Sequence, residues 1–344
     1  CLLKNQFPAD TQVEKPFKTF SMKIRSLLLA MLFCAGILHL NAQNIPATPS
    51  EIGVGVFLGE TKPLRDIPEL TDSELQILMQ KAEARQFNKK LRYRDYPFAD
   101  IALPKGPDAV WQKTMGKTAT TKAPLINFEG QATSAYPPDC NGTSGPNHFM
   151  QTVNSTYAIY DKTGTKLAGP TNMNQLFNGV PGSNCNDGDP IILYDEQADR
   201  WVATEFSLCG SNDLMLMAVS TTNDPTGTWY AFSFDVQGMP DYPKFSVWQD
   251  GYYMGDNNTS SNDIYVFERA QMLIGGTNRK FVGFNKNWRP GSVDGFMCVP
   301  PVDNDGTFAP AGSPGLFIAM SDDAFNSGPD QLWIYELDVD WTNT

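Results

Sequence analysis

The feature that most constrains this chain is a unit that recurs along it. Its clearest copy is Asp187–Trp201, DGDPIILYDEQADRW, where an acidic turn leads into the apolar run Ile191–Tyr194. A polar turn from Asp195 to Asp199 follows, and then a second run from Trp201 to Thr204. Runs this short, β-branched or aromatic and separated by turn residues, read as a hairpin rather than a helix. The same order appears at Gly145–Tyr160, at Asp241–Met254 and, more loosely, at Asp294–Met320. A third strand is expected after each of the last three hairpins, at Leu214–Ser220, Ile264–Arg269 and Leu332–Leu337. Fourth strands are expected at Thr228–Val236 and Lys280–Phe284. Asp189, Asp241 and Asp294 fall about 50 residues apart, the beat of four-stranded propeller blades.

The pattern predicts an all-β fold, a β-propeller of four-stranded antiparallel blades across residues 127–344. Four blades are visible, over about 145–180, 187–236, 239–286 and 292–340. The chain stops at Thr344 directly after a strand-like run, so a C-terminal truncation from about six to eight blades is expected. A β-sandwich would also give short alternating strands, but the inner hairpin in each repeat favours the propeller.

The N-terminal part is of another kind. Met22 opens MKIRSLLLAMLFCAGILHLNAQ, with Lys23 and Arg25 before an apolar run from Ser26 to Leu40. This predicts a signal peptide over 22–42, cleaved before Gln43, with residues 1–21 as upstream sequence. Secretion or exposure at the outer cell surface follows, with no membrane span after cleavage. Residues 43–126 read as a partly helical leader and connector. Thr71, Asp72, Ser73 and Glu74 cap a helix expected to run to about Gln86, followed by the basic residues Lys89, Lys90, Arg92 and Arg94.

With 26 Lys and Arg against 38 Asp and Glu, the net charge is −12, which gives a nucleic-acid partner no electrostatic footprint. Four cysteines follow the leader: Cys140, Cys185, Cys209 and Cys298. Export permits disulfides, and Cys185 and Cys209 flank the 187–201 hairpin, which favours a bridge between them. Cys140 and Cys298 then form a second bridge or remain thiols. A zinc site is disfavoured, because there is no C-x-x-C and His148 is the one histidine after the leader.

The turn Thr222–Trp229, TNDPTGTW, resembles the Asp box of sialidase-type propellers, with Gly227 one residue late and Trp229 one early. The stretches PPDCNGTSGPNHFMQTVNSTYAIYDKTG, NDGDPIILYDEQADRWVATEFS, VSTTNDPTGTWYAFSFDV and MPDYPKFSVWQDGYYM together resemble a family of exported, Bacteroidetes-type bacterial propeller-like proteins. That resemblance covers about residues 103–340. It implies a propeller fold, export and, in many members, a C-terminal sorting domain, but no assigned chemistry.

In a propeller, loops feeding the first strand of each blade and loops joining strands two and three converge on one face. The first set offers Asp139, Asn141, Asp187, Asp189, Asp241, Tyr242, Lys244 and Asp294; the second offers Glu205, Asp256, Asn257, Asp322 and Asp323. Carboxylates sharing a cavity bind a cation or sugar hydroxyls, and they raise one another's pKa. Calcium at Asp187 and Asp189 is one such use. Taken singly, each Asp also fits an ordinary turn role. Asp241-Tyr242-Pro243-Lys244 carries more polar groups than a turn needs, and it suits a glycosidase or a polysaccharide lyase. His148 is the one conventional general base, with hydrogen bonding between blades as its bland alternative. Trp201, Trp229, Trp248 and Trp333 fall on strands and read as core.

The expected function is a glycan or polysaccharide binder, with cleavage through Asp189, Asp241, Tyr242, Lys244 and His148. The rival is a non-catalytic module for protein partners or adhesion at the cell surface. The enzymatic reading requires Asp189, Asp241 and His148 to face one pocket.

Overall fold

The computed structural model describes residues 48–78, 114, 123–133, 135, 137–258, 262–285, 298–321 and 331–344. All from residue 47 onward belong to one compact unit. The signal-like segment, the helix beyond residue 78, the basic residues Lys89–Arg94, and Asp294, Asp322 and Asp323 lie outside the described residues.

The chain is built mainly of antiparallel β-sheet, with short helical turns at Leu64–Asp66, Met173–Phe177 and Arg269–Met272. One sheet is the meander β3 (Asn141–Ser144), β4 (His148–Val153), β5 (Thr156–Asp161) and β6 (Lys166–Asn172). The next is β7 (Gly188–Asp195), β8 (Arg200–Ser207), β9 (Leu214–Ser220) and β10 (Trp229–Asp235). A third repeats the order with β11 (Lys244–Val247), β12 (Gly251–Gly255), β13 (Asn262–Glu268) and β14 (Lys280–Asn285). A two-stranded sheet, β15 (Gly315–Ser321) with β16 (Gln331–Leu337), follows and is extended by a bridge from Pro301 to Phe317.

Side-chain alternation explains why the two middle sheets read as nearly continuous apolar runs. On β8, Trp201 and Ala203 face Met150, Tyr157 and Ile159 of the first meander. Their neighbours Val202 and Phe206 face Tyr252, Met254 and Phe267 of the third. The third meander in turn sets Tyr253, Ile264 and Val266 against Phe317 and Ala319. A sheet covered on both faces has no polar side to show. Each fully buried large side chain contributes roughly 1.5–3 kcal/mol relative to its exposed state. Trp201 and Trp229, both with no exposed surface, are therefore core residues. Trp229 packs under the Asp-box-like turn: its Nε1 donates to the Pro225 carbonyl at 3.0 Å, while Asp224 Oδ1 accepts the Thr226 N–H at 2.9 Å.

Two strands come from the leader. β1 (Glu51–Val54) adds a fifth strand to β14, and β2 (Val56–Glu60) adds a fifth to β10. Their approach is close enough that glycine is required. A Cβ on Gly53 would stand 2.2 Å from the Phe281 ring, and one on Gly55 2.4 Å from Phe234. The capped helix begins as its sequence specifies, with Glu74 Oε2 accepting the Thr71 N–H at 2.8 Å and Thr71 Oγ1 accepting the Glu74 N–H at 3.3 Å.

The first meander starts one strand earlier than the hairpin at Gly145–Tyr160. The polar segment Asn141–Ser144 pairs with β4, register Asn141 to Thr152. His148 therefore opens a second strand, not a first. Among the described residues no helix is long and apolar enough to cross a membrane.

Candidate functional site

The first strands of the three meanders lie side by side, with β7 touching both β3 and β11. Asn141 Oδ1 accepts the Ile192 N–H at 2.8 Å, which ties β3 to β7. Asn141 is thus a structural clamp between sheets. The segment before β15 joins them at the far end of β11, where Asp303 Oδ1 accepts the Val247 N–H at 2.8 Å.

At these entries the backbone takes an uncommon form. Asp139, Asp189 and Tyr242 have φ of 40°, 51° and 54°. Asp tolerates the left-handed region, but for a bulky residue such as Tyr it is strained, at roughly 1–3 kcal/mol. On β7 the cause is a bulge: pairing moves from Gly188–Phe206 to Ile191–Thr204, leaving Asp189 and Pro190 opposite Glu205 alone. Bulges re-aim side chains, and this one turns Asp189 toward the neighbouring entries.

The result is a cluster. Asp189 Oδ2 accepts the Tyr242 N–H at 3.3 Å. Asp241 takes two bonds from Asn257: its carbonyl accepts the backbone N–H at 2.8 Å and its Oδ2 accepts Nδ2 at 3.2 Å. Asp139 Oδ2 accepts Asn154 Nδ2 at 2.6 Å. Lys244 Nζ stands 3.3 Å above the Tyr242 ring centre and donates to the Pro243 carbonyl at 2.9 Å. Tyr242 itself is 45% exposed.

Burial, followed by repulsion from Asp139 and Asp241, raises the Asp189 carboxyl to about 6, against which the Tyr242 N–H and Lys244 act only in part. Burial lowers the Lys244 ammonium, while Cys298, Asp189, Asp139 and Asp241 act in the opposite direction. Three carboxylates and one amine thus share a half-buried space, and Cys298 reaches it from the start of the fourth sheet. Asn154 and Cys298 were not marked by the sequence as site residues. The one link in the sequence from Cys298 to these entries is the proline two residues on, Pro300 after Cys298 as Pro243 after Asp241.

Other predicted residues fall elsewhere. Glu205 is fully buried on β8, and no side chain among the described residues hydrogen-bonds its carboxylate. Burial and then the neighbouring Asp187 raise its carboxyl well above the usual range. Asp187 Oδ2 accepts the Leu208 N–H at 2.7 Å. Asp256 is buried, and its Oδ1 accepts the Asn258 N–H at 2.8 Å. His148 lies at the opposite edge of the sheets from Asp139. It faces Asp224 in the β9–β10 turn, with Nε2 4.0 Å from Oδ1. The structure therefore does not bring His148 to Asp189 and Asp241, and a catalytic set that includes it does not form. The Cys185–Cys209 disulfide is present, with Cα atoms 6.1 Å apart; Cys140 is exposed and Cys298 half-buried.

No family model matches the chain, and no curated protein matches it. Among solved structures, one similar chain is a protein of Parabacteroides distasonis ATCC 8503 provisionally assigned as a glycoside hydrolase. It shows 12% identity and a TM-score of 0.30, over 57% of this chain and 66% of that one. Another is Bacillus subtilis arabinanase Arb43A, with 12% identity and a TM-score of 0.26, over 60% of this chain and 94% of that one. Likeness this slight carries no inference about activity.

Proposed function

We propose that this chain is an exported β-propeller protein that binds a glycan at the cluster of Asp139, Asp189, Asp241, Tyr242 and Lys244. The observation that carries the reading is the convergence of these side chains at successive first-strand entries, three of them on left-handed backbone. Carboxylates accept sugar hydroxyls, the Asn257 amide and Lys244 offer donors, and the half-exposed Tyr242 ring gives a sugar face an apolar contact. The ring arrangement is supported by the shared edge of β3, β7 and β11, and export by the basic and apolar leader at Lys23–Leu40.

Binding is the function advanced, because His148 stands apart from the cluster. The test is a glycan array and polysaccharide digestion with the purified protein, alongside Asp241→Ala and His148→Ala. Glycan binding lost in Asp241→Ala and kept in His148→Ala is the expected result. Binding unaffected by Asp241→Ala, or no glycan bound at all, rejects the reading. Capture of a cell-surface protein through the same residues would install the adhesion module in its place. Release of new reducing or unsaturated ends, abolished by Asp189→Asn, would add cleavage to binding.

A further inference from the structure

A second locus, behind the bulge that re-aims Asp189, holds Glu205 and Asp187. Glu205 has no exposed surface, and among the described residues no side chain hydrogen-bonds either of its oxygens. Buried polar atoms are nearly always paired, and leaving one unpaired costs about 1–3 kcal/mol, more for a charged group. Among the described residues the charged group acting on Glu205 is another carboxylate, Asp187, and the Gly188 backbone N–H is its one favourable neighbour. A proton on Glu205 would remove the charge but leave the side chain with the Gly188 N–H as its single donor among the described residues. A cation between Glu205 and Asp187 would offset the repulsion of the two carboxylates.

We infer that Glu205 and Asp187 hold a calcium ion between β7 and β8, distinct from the cluster around Asp189. The donors are hard oxygens. The two nearby sulfurs, those of Cys185 and Cys209, lie within 4.8 Å of the Asp187 carboxylate but are joined in a disulfide, so they are not thiolate ligands and do not select zinc. With Asp187 Oδ2 engaged by the Leu208 N–H, its Oδ1 is left to serve as the ligand. Calcium tolerates the irregular shell that two carboxylates, carbonyls and water provide, whereas magnesium demands near-ideal octahedral geometry. Asp187 is only half-buried, which gives the ion a way in.

The experiment is thermal unfolding of the purified chain after EDTA treatment, titrated with CaCl₂ and, in parallel, MgCl₂. Calcium is expected to raise Tm saturably, by roughly 5 °C at a hundredfold excess over Kd, with a much smaller response to magnesium. Glu205→Gln should abolish that rise, and Asp187→Asn serves the same purpose if Glu205→Gln does not fold. Asp189→Asn should keep it. No response to calcium, or a response that persists in both Glu205→Gln and Asp187→Asn, overturns the inference. A response lost in Asp189→Asn but kept in Glu205→Gln also overturns it, by moving the ion to the glycan cluster. The glycan reading stands or falls separately, since its test variant is Asp241→Ala.

Discussion

Asp189 should be a residue whose removal strengthens the fold while weakening the site. Its carboxyl titrates at about 6 because ionisation occurs in a half-buried space beside Asp139 and Asp241. A carboxyl raised in the folded state binds more protons there than in the unfolded chain. Its cost is therefore absent below pH ~4, grows between ~4 and ~6, and is complete above ~6.5. At about 1.4 kcal/mol for each tenfold change in proton affinity, the full cost is at most roughly 3 kcal/mol. Residual solvent contact lowers that to on the order of 1–2 kcal/mol. Asparagine keeps the acceptor for the Tyr242 N–H and tolerates left-handed backbone well. Asp189→Asn is thus expected to raise stability by about 1–2 kcal/mol at pH 7.5 and by almost nothing at pH 4. Paired urea-unfolding curves of the two proteins at both pH values measure this. A variant that loses stability at pH 7.5, or gains equally at both pH values, refutes the reasoning.

Two further outcomes test the interior. Arg269 clasps the fully buried Asp195 through Nε at 2.6 Å and Nη2 at 2.8 Å, and the Tyr252 hydroxyl donates to the same carboxylate at 3.0 Å. Arg269→Met leaves that carboxylate without its cation and should cost about 3–5 kcal/mol in urea unfolding; a loss below ~1 kcal/mol would show that the charge finds another partner. The Tyr157 hydroxyl is buried without a hydrogen-bond partner among the described residues, so Tyr157→Phe should be neutral or stabilising by about 1 kcal/mol. A clear loss of stability in the same assay would mean that the hydroxyl is bonded after all.

The middle strands were legible in the sequence because their burial on both faces leaves apolar runs between turn residues. Leu214–Ser220 coincides with its strand, and Thr228–Val236 overshoots β10 by one residue at each end. The disulfide was legible from its flanking of one hairpin. By contrast, β3 has the sequence NGTS, with no apolar residue to mark it. That single omission had a geometric consequence. In a meander each strand reverses direction, so a missed strand exchanges the two ends of all that follow in that sheet. His148 was thereby expected beside Asp139, and it sits at the other edge. The entries at Asp189 and Asp241 were found because the repeat placed them in phase. The bulge that aims Asp189 depends on pairing with β8, which no local pattern states. The fifth strands were illegible for a similar reason, since β1 and β2 find their partners far along the chain.

Those two strands also bear on the order in which the molecule can be completed. Thr61 accepts the Trp229 N–H across 168 residues, and Ser50 donates its N–H to Gly283 across 233. A chain emerging N-terminus first presents β1 and β2 at the outset, yet neither has an edge to join until the second and third meanders exist. Contacts of such separation are slow to form, because loop closure must precede any gain from pairing. This early stretch of the chain thus docks only after the second and third meanders are made. Once docked, it joins the outer edges of two sheets through one continuous run of backbone, so that neither sheet can open at that edge without straining the other.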